Sequence, residues 1–212
     1  YQLEAILKDN TKFGMYETHA SRVDHGVFYK SEFQDIPLLK NLLPKAYKQL
    51  GSSGGGNHFV EFGIAKIENP ENEWKLDKGE YFAVLSHSGS RGLGANIAKH
   101  YTYLATKQCP LPKNVQHLAW LDLNTHDGQE YWLAMNLAGD YAKACHDDIH
   151  RRVAKAIGKR VVVTIENHHN FAWKEMVNGK ECIVHRKGAT PAHEGQLGII
   201  PGSMTAPGFV VM

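Results

Sequence analysis

Cysteine is scarce in this chain: Cys109, Cys145 and Cys182 are the only three. They are odd in number, lie far apart and show no C-x-x-C spacing, which argues against a disulfide framework or a zinc knuckle and fits a reducing, cytoplasmic setting. Long apolar runs are missing too. No stretch approaches the roughly 18 residues of a membrane span, so a soluble chain with no membrane partner is expected. Neither sign of charge dominates: 24 Lys+Arg against 22 Asp+Glu leave +2, so any nucleic-acid contact must come from a local patch. Standard nucleotide motifs are also absent, because the glycine run from Gly51 to Gly56 has neither the lysine of a Walker loop nor the spacing of a dinucleotide fingerprint. At the start, Tyr1-Gln2-Leu3-Glu4 shows no initiator methionine and no signal-peptide pattern. At the far end, Gly208-Phe209-Val210-Val211-Met212 reads as a buried strand with no closing turn, so both ends are expected to be internal to a longer protein.

What is present is enough apolar residue, 42% of 212, to bury a real core. Thirteen histidines stand out, and histidine is the commonest metal ligand and acid/base side chain. Leu38 to Leu50 reads as a short helix after Ser31-Glu32-Phe33-Gln34-Asp35-Ile36-Pro37; His19 and His25 nearby read as surface histidines. Strands are expected at Asn57–Phe62, Tyr81–Leu85, Arg160–Glu166, Cys182–Val184 and Leu197–Ile200, with a helix over Ala95–Lys107. A longer helix after Asn124–Asp127 carries a core stripe of Trp132, Met135, Ala138, Ala142, Cys145, Ile149, Val153 and Ile157, and Gly158-Lys159 ends it. With no repeat or clear linker, residues 1–212 read as one α+β unit of mixed sheets with flanking helices.

Four apolar runs, at Leu85, Ile165, Val184 and Ile200, end in clusters of His, Asn, Arg, Gly or Ser. If those strands share a sheet, their ends converge on one pocket. Three successive glycines before Asn57 and His58 let backbone N–H groups approach an anion. His87 is followed by Arg91 and a helix start, which together suit a phosphate. His168 and His169 would point to opposite faces of a strand, and spacing alone does not choose between them. Arg186 and Lys187 read either as a phosphate-facing pair or as a solvated turn.

Taken in order, GSSGGGNHFVE at Gly51–Glu61, HSGSRGLG at His87–Gly94, HHN at His168–Asn170, RKGA at Arg186–Ala189 and IIPGSM at Ile199–Met204 resemble the RtcB-type RNA-splicing ligases. The resemblance runs from about residue 50 to the last residue. It implies an RtcB-like catalytic domain, partial in this chain, with an active-site pocket at strand ends. The implied enzyme is a manganese- and GTP-dependent ligase that joins RNA 3′-phosphate or 2′,3′-cyclic phosphate ends to 5′-hydroxyl ends through a guanylylated histidine.

By position, His58, His87 and His169 match metal ligands, with two Mn2+ ions expected in the complete site. Asn57, Phe59, Val60 and Glu61 match guanylate (GMP) contacts around the first ligand, Glu61 reading the guanine edge and Asn57 also placed in the catalytic set. His169, Asn170, Pro201, Gly202, Ser203 and Met204 match further guanylate contacts, and Arg91 matches an RNA-phosphate contact. The resemblance also places an Asp-x-x-Cys ligand segment before residue 1 and the nucleophilic histidine of a His-Gly-Ala-Gly-Arg segment beyond Met212, so this chain alone is expected to be inactive. Thr205 and Gly208 depart from the residues usual at their positions. Two other readings are a stand-alone metal- and guanine-nucleotide-binding homologue without ligation, and a metal-dependent phosphoesterase.

Overall fold

The computed structural model describes residues 2–203 and 205–212, and they form two compact units that meet in sequence at Val161 and Val162. Among the described residues the first unit holds five α-helices, α1 (Gln2–Thr11), α2 (Glu32–Asp35), α3 (Pro37–Gln49), α4 (Arg91–Gln108) and α5 (His126–Ile157), two short 3-10 turns, and the hairpin β1 (Phe59–Ile67) with β2 (Gly79–His87). The second unit holds the hairpins β3 (Asn170–Val177) with β4 (Lys180–Lys187) and β5 (Gly198–Ile200) with β6 (Phe209–Val211). This is a mixed α+β architecture in which every sheet has two antiparallel strands.

The ends of α5 follow from local chemistry. Thr125 Oγ1 accepts from the Gly128 N–H at 3.2 Å, an N-cap bond. Gly158, at φ +73°, closes the helix in the left-handed region where a side chain would be strained. Between them α5 serves two apolar clusters. Ala134, Leu137, Tyr141, Ala144 and Cys145 join Phe28, Phe33, Leu39, Leu93, Ile97 and Tyr101 in the larger one. Ile149 and Val153 meet Val60 of β1 in the smaller one. The expected stripe therefore holds from Ala142 onward, while upstream the most buried positions are Ala134, Leu137 and Tyr141, which keep helical spacing in a frame offset by one residue. Tyr141 fits this core because its hydroxyl donates to the Ala46 carbonyl at 2.7 Å.

The expected strand at Arg160–Glu166 is not formed: these residues lie outside every strand, and Val161 and Val162 are exposed. A β-branched run becomes a strand only where it pairs with another strand, and among the described residues this run is in register with none of β1–β6. Likewise β6 is exposed along its length rather than buried. The sequence pattern does not announce α1, β3 or α2, whose residues read as the entry to α3. β3 is joined to β4 by Asn178-Gly179, both at positive φ (+50° and +77°), the geometry of a tight two-residue hairpin turn.

Candidate metal centre

Antiparallel pairing, rather than a shared sheet, brings the polar blocks together. In β1–β2 the register sets Phe59 opposite His87, so the block that begins β1 meets the block that ends β2. In β3–β4 Asn170 lies opposite Lys187. Thus HHN adjoins RKGA: Asn170 Oδ1 accepts from the Gly188 N–H at 2.7 Å, and the His169 carbonyl accepts from the Ala189 N–H at 3.0 Å. His168 and His169 precede β3 instead of terminating a strand.

The rings of His58 and His87 lie 5.8 Å apart between centroids. Metal–nitrogen bonds of about 2.1 Å plus about 1.2 Å from nitrogen to ring centre allow separations up to about 6.6 Å for two imidazoles on one ion, so the pair fits. Its protonation fits as well. Nδ1 of His58 is 2.9 Å from the Ser53 carbonyl, and a carbonyl only accepts, so Nδ1 carries the proton and Nε2 presents a lone pair. Burial draws the His58 pKa below its ordinary value; the Ser53 bond opposes this, and the nearby Arg91 and His146 reinforce it. Gly89 borders Nε2, a Cβ there lying 3.7 Å away in ordinary contact. Within each unit, among the described residues, no three His, Cys, Asp or Glu side chains gather into a metal-holding group, so an ion on this pair would need further donors. His169 belongs to the second unit.

The glycine run serves packing first. Gly51 through Gly54 are buried, and only Gly55, Gly56 and Asn57 are open to a ligand. A Cβ on Gly51 would lie 2.0 Å from Asp148 Oδ2, and one on Gly54 2.0 Å from Arg91 Nη1 and 2.7 Å from His58 Nδ1. Both glycines hold positive φ, +73° and +98°, so each is required twice over, for conformation and for space.

Arg91 faces inward. Its Nε donates to Ser52 Oγ at 3.1 Å and its Nη2 to the Gly14 carbonyl at 3.1 Å, which ties the start of α4 to the glycine run. The first turn of α4 is met by Gln49, whose Oε1 accepts from the Gly92 N–H at 2.9 Å.

The other expected positions are distributed as follows. Val60 is a core side chain, while Asn57 and Glu61 are exposed and Phe59 is half-buried against His87. Pro201, Gly202 and Ser203 are exposed beside β5, with Ser203 bridged to Ala206; Met204 lies outside the described residues. Arg186 is bound to Glu175 by two bonds of 2.5 and 2.8 Å and lies over Trp173, 5.2 Å from the ring centre, so its charge is already matched.

Several residues near the pair carry no motif. His19 Nε2 donates to the Gly51 carbonyl at 2.9 Å. His146 and His150 of α5 meet Ser88 and Ser86, on either side of His87. Their i, i+4 spacing on a predicted helix was the signal that could have found them.

The family described as tRNA-splicing ligase RtcB matches residues 2–212. Among curated relatives, the RNA-splicing ligase RtcB of Escherichia coli K12 is 34% identical over 181 residues, covering 78% of this chain and 41% of that protein. The tRNA-splicing ligase RtcB of Pyrococcus horikoshii is 32% identical over 248 residues, covering 99% of this chain and 28% of its own length. That of Thermococcus kodakarensis is 28% identical, covering 99% of this chain and 51% of its own length. The chain thus spans less than two thirds of each of these relatives.

Proposed function

This chain belongs to the RtcB family of tRNA-splicing ligases, and we propose that it carries a manganese- and guanylate-binding portion of a GTP-dependent RNA ligase. The substrates in this reading are RNA 3′-phosphate or 2′,3′-cyclic phosphate ends and 5′-hydroxyl ends. The observation that carries it is the His58–His87 pair, with Nδ1 of His58 bonded to the Ser53 carbonyl so that Nε2 is the donor nitrogen of the neutral ring.

In this reading His58 and His87 are manganese ligands, His169 keeps the ligand role that the family resemblance gives it, and the metal, when bound, would supply Lewis-acid neutralisation of phosphate oxygens. The Ser53 bond holds the proton of the neutral His58 ring on Nδ1, which leaves Nε2 as the metal-facing donor. The open backbone of Gly55, Gly56 and Asn57 offers N–H donors to an anion. Exposed Asn57 and Glu61 offer an amide and a carboxylate, groups that read the donors of a guanine edge. Asn170 contributes its amide N–H groups, since its oxygen already accepts from Gly188. Pro201, Gly202 and Ser203 add a hydroxyl and backbone groups. Arg91, bonded to Ser52 and Gly14, reaches an RNA phosphate only by exchanging one of those partners.

Intact mass of the native protein that carries this chain, after incubation with GTP and manganese, tests the reading. A gain of one GMP is expected; its absence would overturn the ligase assignment.

A further inference from the structure

Ser86 and Ser88 flank His87, and each meets a histidine of α5. Ser86 Oγ is 2.8 Å from Nε2 of His150, and the Ser88 N–H donates to Nε2 of His146 at 3.3 Å. His146 and His150 are one turn apart, so both lie on one face of the helix. Alternation along β2 places Ser86 on the face that packs on α5, since its partner in the ladder, Val60, is buried against Ile149 and Val153. The same alternation turns His87 to the other face, where it meets His58 and Phe59.

Among the described residues β2 pairs with β1 alone, and the ladder stops at His87, so Ser88 lies beyond the last pair. A single anchor would leave the strand end free to rotate about its axis, whereas two anchors on one side, two residues apart, fix that rotation and with it the direction of the side chain between them.

We propose that His146 and His150 are positioning residues that clamp the end of β2 and hold His87 at its working distance from His58. The proposal rests on the reading of His58 and His87 as metal ligands for its consequence, though not for its geometry. In this proposal both act on the site through the β2 end that carries His87. An imidazole suits position 146 because Nε2 lies 3.3 Å from the Ser88 carbonyl as well as from its N–H, so either neutral tautomer keeps a bond. Glutamine offers both an acceptor and a donor there, and leucine offers neither.

Two measurements on His146→Leu and His146→Gln in the full chain decide the matter. In metal-free protein, imidazole 1H–15N spectra of the leucine variant should shift the His87 and His58 signals while exposed His126 stays in place; glutamine should restore them. In manganese titrations followed by electron paramagnetic resonance, leucine should raise Kd about 10- to 100-fold, the range usual for lost outer-shell partners, and glutamine should recover most of it. Unmoved His87 and His58 signals in the leucine variant, or no recovery with glutamine, would overturn the proposal. Should His146→Leu not fold, His150→Leu carries the same readouts. If the unaltered chain binds no manganese, the metal reading falls, while the ring signals still decide whether the clamp exists.

Discussion

Phe59 stands opposite His87 in the β1–β2 ladder, with ring centroids 5.5 Å apart. That register carries the residue before Phe59, His58, to the end of β2. Replacing either histidine by alanine removes a donor, so His58→Ala and His87→Ala should each weaken manganese binding by more than the roughly 10- to 100-fold typical of outer-shell losses. Elemental analysis after dialysis checks this, and unchanged metal content in either variant would refute the ligand assignment.

Gly54 and Gly55 are neighbours with opposite expectations. Alanine at Gly54 must adopt φ +98° and displace Arg91, which is held by Ser52 and Gly14. Gly54→Ala should cost about 2–4 kcal/mol, from left-handed strain and lost bonds to a charged group. A Cβ at Gly55 meets its nearest atom at 3.5 Å, so Gly55→Ala should stay within about 0.5 kcal/mol. Urea denaturation of the pair separates the two.

Asp148 is a buried carboxylate with a side chain 1% exposed, bonded to Arg152 at 2.6 Å and to Arg151, and its oxygen fills the space beside Gly51. Removing it strands Arg152, whose side chain is 19% exposed. Asp148→Ala should therefore destabilise by about 3 kcal/mol, the low end for breaking a buried pair, because Arg152 retains some access to water. Thermal unfolding of the variant gives the measurement.

His19 and His58 are both drawn below the ordinary histidine value of 6.5, each chiefly by burial. Between the lowered folded values and 6.5 the unfolded chain binds more protons than the folded one, so stability is full above about 6.5 and is lost as pH falls below it. Urea midpoints at pH 7.5 and 5.5 should show the decline, and His58→Asn should flatten it.

Burial pushes the Cys145 thiol up to about 12, and the residue is fully enclosed. Thiolate reagents should label Cys109 and Cys182, both partly exposed, long before Cys145. Mass spectrometry of a timed alkylation resolves the order; early labelling of Cys145 would contradict the packing of α5.

Long amphipathic helices and short apolar strands were legible because each leaves a periodicity in the residues themselves. α3, α4, α5 and strands β1, β2, β4 and β5 fall where the pattern puts them, and Cys145 lies in the core as its spacing requires. Arg160–Glu166 favours a strand by composition and is not one, because composition carries no record of whether a segment finds a partner strand in the fold. α1 is short and strongly polar, with Leu3 exposed, so its periodicity is faint. β3 was hidden by its polar positions and by an Asn-Gly turn that went unweighed.

By itself the sequence determined the family, the α+β class and the residue types available for metal and phosphate, since these depend on which side chains occur and in what order. Only the tertiary structure decided their use. An antiparallel register set His58 beside His87, a carbonyl of Ser53 chose the tautomer of His58, Asp148 and Arg91 claimed the space that Gly51 and Gly54 leave, and two histidines of α5 took hold of the strand end. Each of these is a contact between segments distant in sequence or a bond to the backbone, and such relations exist only once the chain has folded.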